Sequence, residues 1–123
     1  MRRKSNMAAL AGTAALASLF TSASAASAEP DPPGCFKGYF CMYSGENLTG
    51  VMLSRTRANW DGSIGGVRSV FNNGYRLPGA DHVQFDYDAA GTMCIHYNPG
   101  PGQYKVNFAY PVRAEKVIWR GEC

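Results

Sequence analysis

Four cysteines are the side chains of this sequence best suited to chemistry. Cys35 and Cys41 lie close together, while Cys94 and Cys123 come much later in the chain. Structural zinc sites usually pair cysteines two to four positions apart, and redox centres use a Cys-x-x-Cys motif, so the first pair fits neither. An even number of cysteines in an exported chain predicts two disulfides. Three pairings are possible, and we favour Cys35–Cys41 with Cys94–Cys123.

The two histidines are also candidates for catalysis or metal binding. Cys94 and His96 would share a strand face as a thiol–imidazole pair, but no third group orients the histidine. His82, Asp86 and Asp88 share another strand face, where a row of solvated polar side chains explains them more simply than a metal site. The sequence has no nucleophile elbow, zinc-protease motif or phosphate-binding loop. We therefore predict a protein that is not an enzyme and holds no cofactor or metal.

The first 28 residues have the organisation of a secretory signal peptide. Three basic residues, Arg2 to Lys4, precede an apolar run, and Ala26-Ser27-Ala28 fits a cleavage site. A second possible site, Ala23-Ser24-Ala25, lies just before it. The apolar run is shorter than the roughly 20 residues that span a bilayer. We predict a secreted, extracellular protein that begins at Glu29 and has no membrane segment once the signal is removed.

Export also changes the charge balance. The whole chain has 12 Lys and Arg against 9 Asp and Glu, and three of the basic residues leave with residues 1–28. The mature chain then has equal numbers of both signs. Binding to nucleic acid or to an anionic membrane usually needs a clear positive excess. Neither partner is expected.

Short aromatic and β-branched runs after a proline-rich lead-in at 29–34 predict one all-β domain over residues 35–123. Asn72-Asn73-Gly74 predicts a tight turn, and residues 55–66 predict an irregular crossover that places Trp60 in the core. The predicted strands are Tyr39–Tyr43, Val51–Leu53, Val67–Phe71, Val83–Tyr87, Cys94–Tyr97, Val106–Ala109 and Glu115–Trp119. The third and the last of these are similar in type and each ends half of the domain, which predicts two stacked Greek keys.

The stretch from Tyr43 to Gly50 resembles the βγ-crystallin Greek-key signature, in which an aromatic residue covers a folded hairpin and a glycine adopts a backbone conformation that other residues reach at a cost. The whole mature chain resembles the Streptomyces metalloproteinase inhibitor family, peptidase inhibitor family 36. The shared features are Cys35-x5-Cys41 enclosing Gly38 and Tyr39, Met42 to Gly45, and Ser69 to Gly74. The resemblance implies a βγ-crystallin-like Greek-key sandwich, a small secreted domain stapled by disulfides.

The resemblance also implies a function, the inhibition of extracellular proteases, in particular thermolysin-like metalloproteases. In the family the reactive bond follows a cysteine and precedes an apolar residue, which matches Cys94–Ile95. Ile95 would then fill an apolar pocket of the protease. The family closes this loop with a second nearby cysteine, and here Cys123 is the remaining candidate. The inhibitory loop implied by the resemblance consists of Met93, Cys94, Ile95, His96 and Tyr97.

A comparison with calcium-binding βγ-crystallins predicts no calcium site. The corresponding stretch, Ile64 to Ser69, lacks an acidic pair, and Arg68 would repel a cation. The alternative function is a βγ-crystallin-like binding module without inhibitory activity, of a killer-toxin-like or cell-surface-binding kind. A structural protein of the cell envelope is a further alternative.

Overall fold

A computed structural model describes residues 27–123, so the predicted signal peptide lies outside the described residues except for Ser27 and Ala28. Its strands are β1 (Phe40–Tyr43), β2 (Met52–Thr56), β3 (Trp60–Asn72), β4 (His82–Tyr87), β5 (Gly91–Ile95) and β6 (Lys105–Arg120). One 3-10 turn, Glu46–Leu48, separates β1 from β2. Within the described range, no helix has the length and apolar character needed to cross a membrane. The predicted all-β domain with two disulfides is confirmed.

The strands form one antiparallel sheet in the order β2-β1-β3-β6-β4-β5. The first three strands are arranged as 2-1-3 and the last three as 5-4-6, so the two halves have the same order and meet along β3 and β6. This symmetry agrees with the weak sequence repeat. A relationship to the βγ-crystallins stays a prediction.

The two central strands, β3 and β6, are long enough for each to contribute to both halves of the domain. The start of β3 pairs with the end of β6, as Trp60 with Val117, whereas the end of β3 pairs with the start of β6, as Phe71 with Lys105. Residues 55–66 were predicted as an irregular crossover, and that prediction is wrong for residues 60–66, which belong to β3. Pairing with β6 organises this glycine-rich stretch into strand, because strand formation depends strongly on tertiary context.

Irregular pairing lets the long sheet bend back on itself. Between the pairs Val67–Val112 and Ser69–Asn107, four residues of β6 oppose a single residue of β3. Such bulges bend strands and increase their twist. Gly66 has a φ of +78° at this point, a value that residues with a Cβ reach only with strain. Pro111 lies inside the β6 bulge, where its missing N–H disrupts no ladder.

The bend brings the two halves face to face around the core. Phe40 of β1 and Phe85 of β4 are separated in the sheet by two strands, yet their ring centroids are 5.6 Å apart. Burying such a side chain contributes about 1.5–3 kcal/mol. The buried core residues are Phe40, Met42, Val67, Val70, Val83, Phe85, Ile95, Val106, Phe108, Val112, Ala114 and Val117. Trp60 is half-buried and packs against them.

The tight turn predicted at Asn72-Asn73-Gly74 is not present. Neither Asn73 nor Gly74 has a positive φ, which an Asn-Gly hairpin turn requires. Asn72 instead ends β3, and both asparagine side chains are fully buried. A Cβ on Gly74 would lie 2.6 Å from the Trp119 ring, so glycine is needed here for close packing.

Candidate functional site

The residues predicted to form an inhibitory loop lie mostly in β5, which is an edge strand. β5 pairs with β4, for example at Cys94 and Gln84, and has no strand partner on its other side within residues 27–123. An edge strand presents backbone N–H and C=O groups that can pair with another extended chain. The segment therefore presents an extended backbone to its surroundings.

The side chains of β5 alternate between solvent and core. Thr92 and Cys94 are exposed, Met93 is half-buried against the core, and Ile95 is 0% exposed. This alternation follows from the two-residue period of a strand that covers a core on one face. The proposed role of Ile95 in filling a protease pocket requires an exposed side chain. The structure contradicts that role, because Ile95 is part of the core.

The next two residues, His96 and Tyr97, contribute to an aromatic cluster beneath the surface. The His96 ring centroid lies 4.3 Å from that of His82, and its Nδ1 donates to the Tyr97 carbonyl at 2.8 Å. The His82 Nδ1 donates to the Asp81 carboxylate at 2.7 Å. His82 is only 7% exposed, so it does not belong to the solvated row predicted along β4. Packing accounts for both imidazoles.

One disulfide lies near the start of the domain and the other attaches its C-terminal residue to β5. Cys94–Cys123, with a Cα–Cα distance of 5.7 Å, attaches β5 to the segment after β6. Cys35–Cys41, at 6.0 Å, closes the turn before β1. Both bonds join the cysteines that the sequence analysis pairs. Because no described cysteine is free, Cys94 cannot act as a thiolate beside His96.

A loop at residues 98–103, whose second half is exposed, follows β5 and is called the tip loop here. The His96 amide donates to the Gln103 carbonyl at 2.7 Å and closes its base. The Gly100 amide donates to the Tyr97 carbonyl, also at 2.7 Å, and forms a turn inside it. The Asn98–Pro99 peptide is cis. Residues 101–103 are exposed, so this half of the tip loop is open to solvent near the edge strand.

Asn72 secures the base of the tip loop from inside the domain. Its Nδ2 donates to the carbonyls of Asp81 and Ile95 at 3.0 and 3.1 Å, and its Oδ1 accepts from the Gly74 amide at 2.9 Å. Its own carbonyl accepts from the Asn98 amide at 3.2 Å. The sequence pattern predicts a turn at Asn72 instead. The available signal was a polar pair directly after an apolar strand, and an amide buried at such a place must find hydrogen-bond partners.

Glu29 contacts both ends of the tip loop. Its amide donates to Asn98 Oδ1 at 2.9 Å, and its carbonyl accepts from Asn98 Nδ2 at 2.8 Å. Its carboxylate accepts from Lys105 Nζ at 2.8 Å and from the Tyr104 hydroxyl at 2.7 Å. These two hydrogen bonds lower the pKa of the Glu29 carboxyl group, with that from Lys105 the larger cause. No sequence pattern indicates a contact across about seventy positions, so sequence analysis missed it.

The stretch compared with calcium-binding motifs has a structural role. The Ser69 hydroxyl donates to the Gly45 carbonyl at 2.6 Å and accepts from the Leu48 amide at 3.0 Å. The Arg68 guanidinium binds the Glu46 carboxylate and donates to the Phe108 carbonyl at 3.1 Å. These groups hold the folded hairpin after β1. In the part of the chain that the structure describes, no three His, Cys, Asp or Glu side chains are grouped closely enough to bind a metal ion.

Comparisons with known proteins give one match. The model of peptidase inhibitor family I36 matches residues 28–97, which is more than half of the chain. The matched range includes the Cys35–Cys41 turn, β1 to β5 and the residues from Met93 to Tyr97. Neither the curated proteins nor the solved structures give a match.

Proposed function

Because the chain belongs to peptidase inhibitor family I36, we propose that its mature domain inhibits an extracellular, thermolysin-like metalloprotease. The family itself is one of peptidase inhibitors, so a protease is the expected kind of partner. The metalloprotease class rests on the resemblance of residues 34–119 to the metalloproteinase inhibitors. The structural observation that carries the proposal is the exposed edge strand β5, which is paired with β4, attached to Cys123 by a disulfide and followed by the tip loop.

Secretion is part of the proposal. Glu29 is the residue directly after the proposed cleavage site. It is also the first of the described residues that forms hydrogen bonds with the domain. Ser27 and Ala28 are exposed, so the folded domain does not bury them. Two disulfides in so small a domain are typical of proteins that fold in an oxidising compartment. Removal of residues 1–28 would therefore leave the folded domain intact.

The contact with the protease would involve the backbone of β5 and the side chains around it. Proteins often bind an extended peptide by pairing it with an exposed strand edge. Thr92 and Cys94 would face the enzyme, and the tip loop would contact the rim of its cleft. Ile95 would stay in the core and support the strand. This differs from the role first assigned to Ile95, because specificity would then depend on the exposed residues.

Resistance to cleavage would follow from the way the segment is held. A peptide bond in β5 lies between residues paired to β4, and Cys94 is also attached to Cys123. If the protease cut this segment, the new ends could not separate readily. A segment already held in its bound conformation also loses little conformational entropy on binding. Both effects favour a long-lived complex over turnover.

The experiment that tests this surface adds one arginine at a time. Thr92→Arg in β5 and Gln103→Arg in the tip loop each place a long charged side chain at an exposed position. Each is expected to weaken inhibition at least about tenfold, because a charge forced into a contact without a partner is costly. The measurement is the inhibition constant for a thermolysin-like protease. Circular dichroism of each variant reports whether the fold is kept.

The matched control is Val51→Arg, beside β2 at the opposite edge of the sheet. Val51 is 67% exposed, so the same side chain is added where no contact is proposed, and inhibition should not change. If Val51→Arg weakens inhibition while the other two variants do not, the contact surface lies elsewhere on the domain.

A second candidate function is favoured by a separate surface. Phe36, Tyr75 and Leu77 are more than half exposed. Arg55 lies 5.5 Å from the ring centroids of both Phe36 and Tyr39. Aromatic and arginine side chains are frequent at binding hot spots. A non-inhibitory binding module would use this surface, and arginine variants at β5 would then leave its partner binding unchanged.

A further inference from the structure

We propose that Glu29, as the N-terminal residue of the mature protein, is a positioning residue that clamps the tip loop in one conformation. The inference deepens the proposed function, on which it rests for the role of that loop. The inference is based on the hydrogen bonds of Glu29, and the family match gives this residue no role. Cleavage after Ala28 would complete the clamp by turning the Glu29 amide into a charged ammonium group.

The clamp has two ends, because Glu29 binds residues on both sides of the tip loop. Its backbone forms a pair of hydrogen bonds with the side chain of Asn98, at 2.9 and 2.8 Å. Asn98 is 5% exposed, so its amide would otherwise be buried without these partners. The Glu29 carboxylate binds Tyr104 and Lys105 immediately after the loop. One residue therefore holds the start and the end of residues 98–103 at a fixed separation.

The charge of a new N-terminus would strengthen this arrangement. Asn98 Oδ1 already accepts a hydrogen bond from the Glu29 amide in the unprocessed chain. A hydrogen bond from an ammonium group is shorter and roughly twice as strong as one from a neutral amide. Processing would thus couple export to a more rigid loop, and a rigid loop is what slow release from a protease requires.

The chain offers a matched control for the clamp at Asp31. Like Glu29, Asp31 is an acidic residue of the N-terminal segment that receives hydrogen bonds from the domain. Its Oδ1 accepts from Asn73 Nδ2 at 2.9 Å and lies 3.8 Å from Lys37 Nζ. Neither partner belongs to the tip loop. Asp31→Asn therefore removes an N-terminal carboxylate without touching the proposed clamp.

The test measures amide hydrogen exchange in the free protein. The full chain is expressed with its own leader, and the exported product is collected. Its intact mass should correspond to a start at Glu29. In both Glu29→Gln and Asn98→Ala, the His96 and Gly100 amides should exchange about tenfold faster than in the wild type. The first variant loses the charged hydrogen bonds of the carboxylate, and the second loses the buried hydrogen bonds of the Asn98 amide. Asp31→Asn should change these rates by less than about twofold.

The double variant Glu29→Gln, Asn98→Ala separates a clamp from two independent contacts. If both ends are needed, the double variant should exchange about as fast as either single variant, because each has already released the loop. Additive effects, or wild-type exchange in Glu29→Gln, would overturn the proposal. A mature chain that begins at Ala26 would overturn the part that concerns the N-terminus.

These results are independent of the proposed function, since no protease is present. Loops that loosen in a protein that inhibits no protease would support the clamp and contradict the inhibitor. Loosening without any change in the inhibition constant would also support the clamp, and would exclude the tip loop as the contact surface.

Discussion

At the scale of single residues, the buried side-chain amide of Asn72 connects separate parts of the chain. Asn72 makes three side-chain hydrogen bonds with backbone groups, those of Gly74, Asp81 and Ile95. In water each of those groups would be solvated, so the native state depends on Asn72 to offset their burial. The sequence shows the asparagine but not its two carbonyl partners, because Asp81 and Ile95 lie 9 and 23 positions away.

Asn72→Ala should lower the free energy of unfolding by about 2–4 kcal/mol, because it leaves buried carbonyls without donors. Asn107→Ala is the matched control. Asn107 is exposed and exchanges hydrogen bonds with Asn47, so its loss should cost less than about 1 kcal/mol. Urea denaturation measures both. Equal losses for the two variants would show that Asn72 has no special role.

Ile95 provides a second prediction, because its place in the core replaces its expected contact with a protease. Ile95→Asp should unfold the domain, since a carboxylate would be buried without a partner. Ile95→Val should remain folded and lose about 0.5–1.5 kcal/mol of stability. Circular dichroism and urea denaturation report both outcomes. A folded Ile95→Asp variant that has merely lost inhibition would restore the original assignment.

The Glu29 carboxyl group predicts a pH dependence. Its pKa is lowered from a usual value of 4.5, first by the hydrogen bond from Lys105 and then by that from Tyr104. A carboxyl group with a lowered pKa in the folded state stabilises the fold above its unfolded-state pKa, and this contribution is lost as the pH falls through the folded-state pKa. Glu29→Gln should therefore be less stable than the wild type at pH 7 but equally stable in strong acid. A stability difference that is the same at both pH values would contradict this.

At the scale of strands, sequence patterns located most elements but not the extent of the two central ones. Alternating residues in β4 were predicted well, because Val83 and Phe85 repeat at the strand period and are fully buried. The first half of β3 was missed, because its glycines are typical of a loop and only its pairing with β6 makes it a strand. The site shows the same division. The predicted strand Cys94–Tyr97 overlaps only the end of β5, Gly91–Ile95, and the burial of Ile95 was missed. The contacts of Glu29 depend on the complete fold.

The two disulfides should differ in their effect on stability. Cys94 and Cys123 are separated by 29 positions and Cys35 and Cys41 by 6. Cross-linking a longer loop removes more entropy from the unfolded chain. Replacing Cys94 and Cys123 by serine should cost about 3.7 kcal/mol, and replacing Cys35 and Cys41 by serine about 2.4 kcal/mol. Urea denaturation of the two double variants gives the order, and the reverse order would contradict the entropic account.

At the scale of the whole molecule, the family match and the fold cover different parts of the chain. The match ends at residue 97, before β6 begins. Yet β6 pairs with both β3 and β4 and supplies Val106, Phe108 and Val117 to the core. The second half therefore completes the domain that presents β5 and the tip loop. A small domain of this kind depends on its staples as well as its core.

The most direct test of the account is a titration of a thermolysin-like metalloprotease with the secreted, oxidised protein. A serine protease is titrated in parallel, and residual peptidase activity is measured in both. The account predicts that the activity of the metalloprotease falls linearly to near zero at one molar equivalent, while the serine protease keeps its activity. Full activity of the metalloprotease in the presence of excess folded, disulfide-bonded protein would contradict it.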